Sequence, residues 1–137
     1  MDVVDRRTVI GIGLTGAAMA MAGCAQAQRS AQAQQEPPLR ERAEMKDLGT
    51  FNSMIPGIAK VRLREVTYQP GGRTSSTMEN DMVCECTDGT LEITLGGTTP
   101  KTVRRGELWT CYTGMREASR NSGSTVAVMR VVDLLKA

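Results

Sequence analysis

The sequence predicts an all-β domain, closed as a barrel or sandwich, and two observations predict it. Apolar and polar residues alternate with period two over several short runs, and Gly, Pro and Asp-Gly turn signals separate those runs at regular spacing. At 137 residues the chain has room for one such domain plus an export segment. Aromatic residues make up only 3%, so the core must rest on Val, Ile, Leu and Met. The net charge is +2, with Arg and Lys scattered among acids, which gives no nucleic-acid-binding surface and no nucleic-acid partner.

The first residues read as targeting. Arg6-Arg7 precedes a short Gly/Ala-rich apolar run from Gly11 to Ala22, the pattern of a twin-arginine export signal. That run is too weakly apolar for a spanning helix, which needs about 20 strongly apolar residues. Met21-Ala22-Gly23-Cys24 resembles a bacterial lipobox, whose cysteine would be lipidated. Ala25-Gln26-Ala27 offers a competing cleavage site. The expectation is an export signal over 1–24 and a mature protein in the cell envelope, periplasmic or anchored to the membrane through lipidated Cys24.

Residues 25–47 are expected to be a tether, because Ala25 to Glu36 is rich in Gln, Ala and Ser with no apolar period. Pro37-Pro38 before Leu39 and Gly49 after Leu48 permit a short helix there, on a thin stripe of Leu39, Ala43 and Leu48. The barrel domain is assigned to 48–137. Ala59, Val61 and Leu63 alternate with Lys60, Arg62 and Arg64, then the phase shifts to Val66 and Tyr68, which predicts a bulge near Arg64-Glu65. Pro70-Gly71-Gly72 breaks that run. Strands follow over 81–86 and 90–95, joined by an Asp88-Gly89 hairpin turn. Gly96-Gly97 turns again before strands at 101–104 and 108–111, which the Gly106 turn separates. Thr125 to Leu134 is a long apolar strand suited to burial on both faces.

The stretch Gly106 to Asn121 resembles the second signature of the cupin family: glycine, five residues, proline, one residue, glycine, two residues, a metal-binding histidine, three residues, asparagine. Gly106, Gly114 and Asn121 match it; Tyr112 replaces the proline and Glu117 the histidine. Anchoring the first cupin signature on Gly89 puts Met82 at its glutamate and Ser76 and Met78 at its two histidines, with Gly71 one residue out of register. The resemblance implies a single cupin β-barrel of jelly-roll type. It implies a homodimer as well, since cupins often pair through their sheets. The chain has no histidine at all. A hard or borderline ion wants N and O donors, and one carboxylate with one hydroxyl is too few. No cofactor is therefore expected by the usual cupin pattern, and Ser-His-Asp catalysis is excluded.

What replaces the ligands is sulfur. Met78, Met82, Cys84 and Cys86 share parity along one strand, and Cys111 and Met115 come from the second signature. Three readings stay open. The first is an exported barrel that binds an unknown small molecule through Ser76, Met78, Met82, Tyr112, Met115 and Glu117, or serves as an envelope accessory protein. The second is a soft-metal site, with copper held by Met78, Met82, Cys84, Cys86 and Cys111. The third is an enzyme with Glu117 as general acid or base. Met and Cys as plain core fillers compete with the metal reading, and a disulfide from Cys111 to Cys84 or Cys86 competes with both.

Overall fold

The computed structural model describes residues 37–137, and these form one compact unit. The export signal over 1–24, Cys24 and the tether as far as Glu36 lie outside the described residues. Eight strands follow one another: β1 (Leu39–Asn52), β2 (Ile58–Thr77), β3 (Asp81–Asp88), β4 (Thr90–Leu95), β5 (Lys101–Arg104), β6 (Leu108–Cys111), β7 (Arg116–Arg120) and β8 (Ala127–Lys136). Among the described residues there is no helix. The strands lie in the order β5-β4-β7-β2-β8-β3-β6, with β1 alongside β2, and curl into a nearly closed jelly roll.

Strand β2 serves both walls of the roll. Its first part, from Ile58 to Tyr68, pairs with β8, and its last part, Arg73 to Thr77, pairs with β7. The bend between them falls at Pro70-Gly71-Gly72, which redirects the strand without ending it. Gly71 takes φ +79°, the left-handed region that glycine tolerates. A side chain at Gly72 would run into the carbonyl oxygens of Arg42 and Gln69, so this position needs glycine for close approach. Asn121 clamps the bend. Its backbone N–H donates to Gly72 O and its carbonyl accepts from Gly71 N–H, both at 2.9 Å. Its buried side-chain amide donates to Tyr68 O (3.1 Å) and Thr125 O (2.7 Å), tying β2 to the turn before β8.

Every buried side chain of β3, Met82, Cys84 and Cys86, is on one face, and β8 buries Ala127, Met129, Val131 and Asp133 by the same alternation. Leu91, Ile93 and Val103 close the far end. A core with few aromatic rings is thus filled by Val, Leu, Ile, Met and Cys, as the composition requires.

Four expectations are corrected. Residues 39–48 form strand and not helix, and the barrel begins near Leu39 rather than at 48. β1 pairs with β2 along nearly its whole length, and this tertiary pairing outweighs a thin helical stripe. No bulge interrupts β2 near Arg64-Glu65: its pairing with β8 runs unshifted from Lys60 to Tyr68. The irregularity lies on the partner strand, between Asp47 and Gly49. Arg62 and Arg64 therefore share the inward face with Val66 and Tyr68. They are tolerated there because fully buried Asp133 takes Arg64 Nε at 2.6 Å, Arg64 Nη2 at 2.7 Å and Arg62 Nε at 2.8 Å. β7 carries no apolar alternation and was not foreseen as a strand; its inward residues are Glu117 and Ser119. β8 buries one face only, Val128, Val132 and Leu134 being half exposed.

Candidate ligand site in the barrel

Ser76, Met78, Met82 and Glu117 converge on one cavity of about 60 Å³, walled also by Arg64, Tyr68, Cys84 and Met129. The backbone explains the convergence. Ser76 and Glu117 are direct partners across β2 and β7. Met78, just past the end of β2, is pinned to the turn before β7: its N–H donates to Met115 O and its carbonyl accepts from Gly114 N–H, both at 2.8 Å. Met82 opens β3 opposite Cys111.

Glu117 is the chemical centre. Only 6% exposed, it receives three donors. Cys111 Sγ donates to Oε2 at 2.8 Å, Ser119 Oγ donates to Oε1 at 2.7 Å, and Trp109 Nε1 makes a long contact of 3.5 Å to Oε2. A buried carboxyl survives only with such partners. Cys84 pairs with Trp109 across β3 and β6, so it lies diagonally to Cys111 on the same face. The ligand atoms of Cys84, Cys111 and Glu117 all lie within 4.8 Å of one another, a buried donor set able to hold a metal ion. Cys84, Cys86 and Cys111 are free thiols.

The hydrogen bond with Cys111, burial and the nearby Glu117 carboxylate together push the Cys84 thiol well above the ordinary range. Burial likewise raises Cys86, and burial, with Glu117 adding, raises the Tyr68 phenol, whose hydroxyl meets Thr74 Oγ1 at 2.8 Å. These shifts set an alkaline limit. The unfolded chain gives up its thiol protons first, from about pH 8.5, and its tyrosine protons near 10, whereas the folded chain still holds them. The contribution of these groups is therefore expected to be level from neutral pH to about 8.5 and to fall steadily above it. Urea midpoints measured across that range check the sign, and Cys84→Ala should flatten the slope.

Not every expected residue joins the cavity. Tyr112 sits on the turn after β6 and is 62% exposed, so it is removed from the site. Met115 packs against the core from that same turn, outside the cavity wall. Cys86 lies in β3 but its Sγ turns to the β3–β4 hairpin, donating to Asp88 O (3.4 Å) and lying 3.6 Å from Gly89 O, so it leaves the sulfur set expected for copper. Arg64, Tyr68, Ser119 and Met129 were missed. The alternation of β2, read from Tyr68 backwards in steps of two, is the signal that would have found Arg64.

The donors do not fit the metal centre usual in this kind of barrel. Its imidazole positions carry a hydroxyl, a thioether and a carboxylate, and the chain contains no histidine. Any ion here would have to accept thiolate sulfur.

No family model matches the sequence, and no curated relative does. Solved structures do match. The cupin domain of Cnp3 from Schizosaccharomyces pombe superposes with TM-score 0.57 at 14% identity, over 74% of this chain and 69% of that one. The Cupin_2 domain of an XRE-family transcriptional regulator from Enterobacter cloacae gives 0.58 at 19% identity, over 71% of this chain and all of that one (100%). Oxalate oxidase in complex with glycolate gives 0.55 at 18% identity, over 70% of this chain and 52% of that one. Identities this low speak for architecture alone, and with the jelly-roll topology and the matched glycines they make the conclusion plain: the chain has the cupin fold.

Proposed function

We propose that this protein is a non-classical cupin that binds a small molecule inside its barrel without an imidazole-held metal. The observation that carries the reading is the meeting of Ser76, Met78, Met82 and Glu117 on one cavity, where a hydrogen-bonded carboxylate faces thioether walls. Such a mixture of apolar lining and a few fixed polar groups is what small-molecule sites are made of. Trp109, the sole tryptophan of the chain, touches Glu117 and supplies the readout. Ligands from a small-molecule library should change Trp109 fluorescence saturably, and Met82→Phe, which fills the cavity, should abolish that response. Binding that survives this substitution would place the ligand elsewhere and end the proposal. The same library, followed for turnover, tests Glu117 as acid or base: an activity indifferent to Glu117→Gln removes that role.

A second reading rests on the proximity of Cys84, Cys111 and Glu117. Two thiolates and nearby thioethers suit Cu(I) better than any hard ion. Reduced protein titrated with Cu(I) against a competing chelator should take up one ion and lose it in Cys84→Ser and Cys111→Ser; absence of uptake ends this reading.

We also propose, from the sequence, export through the twin-arginine signal and membrane anchoring through Cys24. Mass spectrometry of the envelope fraction should find a lipidated Cys24, and Cys24→Ser should release the protein; an intact N-terminus in the cytoplasm would refute both. A homodimer completes the proposal. Phe51, Met54 and Ile55, exposed around the β1–β2 connection, supply apolar surface for it, and light scattering decides the state.

A further inference from the structure

We infer that the mouth of the barrel recognises the carboxylate of a small organic acid through Arg62, a conclusion that rests on the small-ligand reading above and names the ligand's class. A second cavity of about 170 Å³ opens above the first and shares Arg64, Ser76, Met78 and Met82 with it. Its charged lining is Arg62, Arg64, Asp133 and Glu79.

The two arginines do not use their donors equally. Arg64 alone satisfies Asp133, with Nε on Oδ2 (2.6 Å) and Nη2 on Oδ1 (2.7 Å), the two-pronged geometry that fits a carboxylate. Arg62 adds only Nε to an oxygen that Arg64 already occupies, at 2.8 Å. Two guanidiniums thus share one buried carboxylate. A second guanidinium beside the first is repelled by it and gains little from an acceptor already taken. Among the described residues the two terminal nitrogens of Arg62 meet no acceptor, and its side chain is 32% exposed, against 17% for Arg64 and none for Asp133. Arg62 thus brings an unspent, planar pair of donors to the lining of a cavity that solvent reaches. Glu79, exposed at the lip, is the carboxylate that opposes this positive charge.

The wall below Arg62 defines the rest of the ligand. Met78 and Met82 offer apolar, adaptable surface, and Ser76 a hydroxyl, on the way to the inner cavity. A carboxylate at Arg62 with a short apolar or hydroxylated body running inward matches both ends. Neutral molecules would leave the terminal nitrogens of Arg62 desolvated with no acceptor, and dianions would meet Glu79.

The test compares acids with their own amides on the full chain: formate, acetate, lactate and benzoate against formamide, acetamide, lactamide and benzamide. Binding is followed by Trp109 fluorescence and by the NMR signal of the Arg62 Nε–H. At least one acid should bind about tenfold more tightly than its amide, the worth of one charge-assisted hydrogen bond. Arg62→Gln should erase that preference, and Glu79→Gln should strengthen it. Arg62→Gln leaves Asp133 held by Arg64, so the fold persists; the comparison of acid with amide in the unaltered protein and in Glu79→Gln is independent of that variant. Amides that bind as well as acids, or a preference that survives Arg62→Gln, would overturn the assignment. Neutral library compounds that fill the barrel while none of the four acids binds would also overturn it and leave the small-ligand reading standing.

Discussion

Replacing Asp133 with Ala is expected to cost about 3–5 kcal/mol of folding free energy, enough to consume much of a small domain's stability. The carboxylate is fully buried and accepts hydrogen bonds from two arginines of β2. Its loss strands both of them. Arg62, a third exposed, can swing toward water, but Arg64 is held under Met45, to whose sulfur Nη1 donates at 3.2 Å. Most of the penalty thus belongs to Arg64. Asp133→Asn should cost less, because the amide keeps the shape and one acceptor. Asp133→Leu combined with Arg64→Leu should recover a large part of the loss, since a buried pair exchanged for apolar side chains is often neutral. Urea midpoints for the three variants read the order directly. A single Ala variant as stable as the parent would mean that the ion cluster is open to water.

Trp109→Ala should be of similar size, about 3–5 kcal/mol, the range for emptying a buried aromatic site. The indole is 5% exposed, sits opposite Cys84 across β3 and β6, and touches the Glu117 carboxyl. Trp109→Phe separates volume from hydrogen bonding. It keeps most of the ring and deletes only a contact of 3.5 Å, so it should cost about 1 kcal/mol. A Phe variant as damaged as Ala would show that the N–H, and not the ring, holds this wall. Denaturant midpoints again decide, with slopes unchanged if the unfolded state is unaffected.

The sequence revealed architecture far better than it revealed which side chains face inward. The turn glycines were legible because their chemistry is local. Gly89 has φ +69° in the β3–β4 hairpin, and an added side chain there would strike Val126 O at 2.6 Å. Strands β5 and β6 fell at the expected residues for the same reason. The inward facing of Arg62 and Arg64 is not legible from their alternation with Val61 and Leu63, because charge ordinarily marks the solvent side. Their counter-charge lies 71 and 69 residues downstream, where no local pattern reaches. β7 was missed because its inward residues, Glu117 and Ser119, are polar, so the alternation that announces a strand is inverted there. The cavity-facing set Ser76, Met78, Met82 and Glu117 came from matching turn glycines to a known spacing, which carries position without carrying chemistry. Cys86 shows the limit of that approach: it shares parity and face with Cys84, yet its thiol is taken up by the backbone of the β3–β4 turn.

The bend at Gly71 and Gly72 reaches beyond geometry. One backbone threads both walls of the roll, so neither wall can open while the other stays shut. Hydrogen exchange would then find no early-opening half among the described strands, and the amides flanking the bend would exchange only through global unfolding. Such a chain melts in a single step, and its folding waits for distant segments to meet, which places it among slow folders.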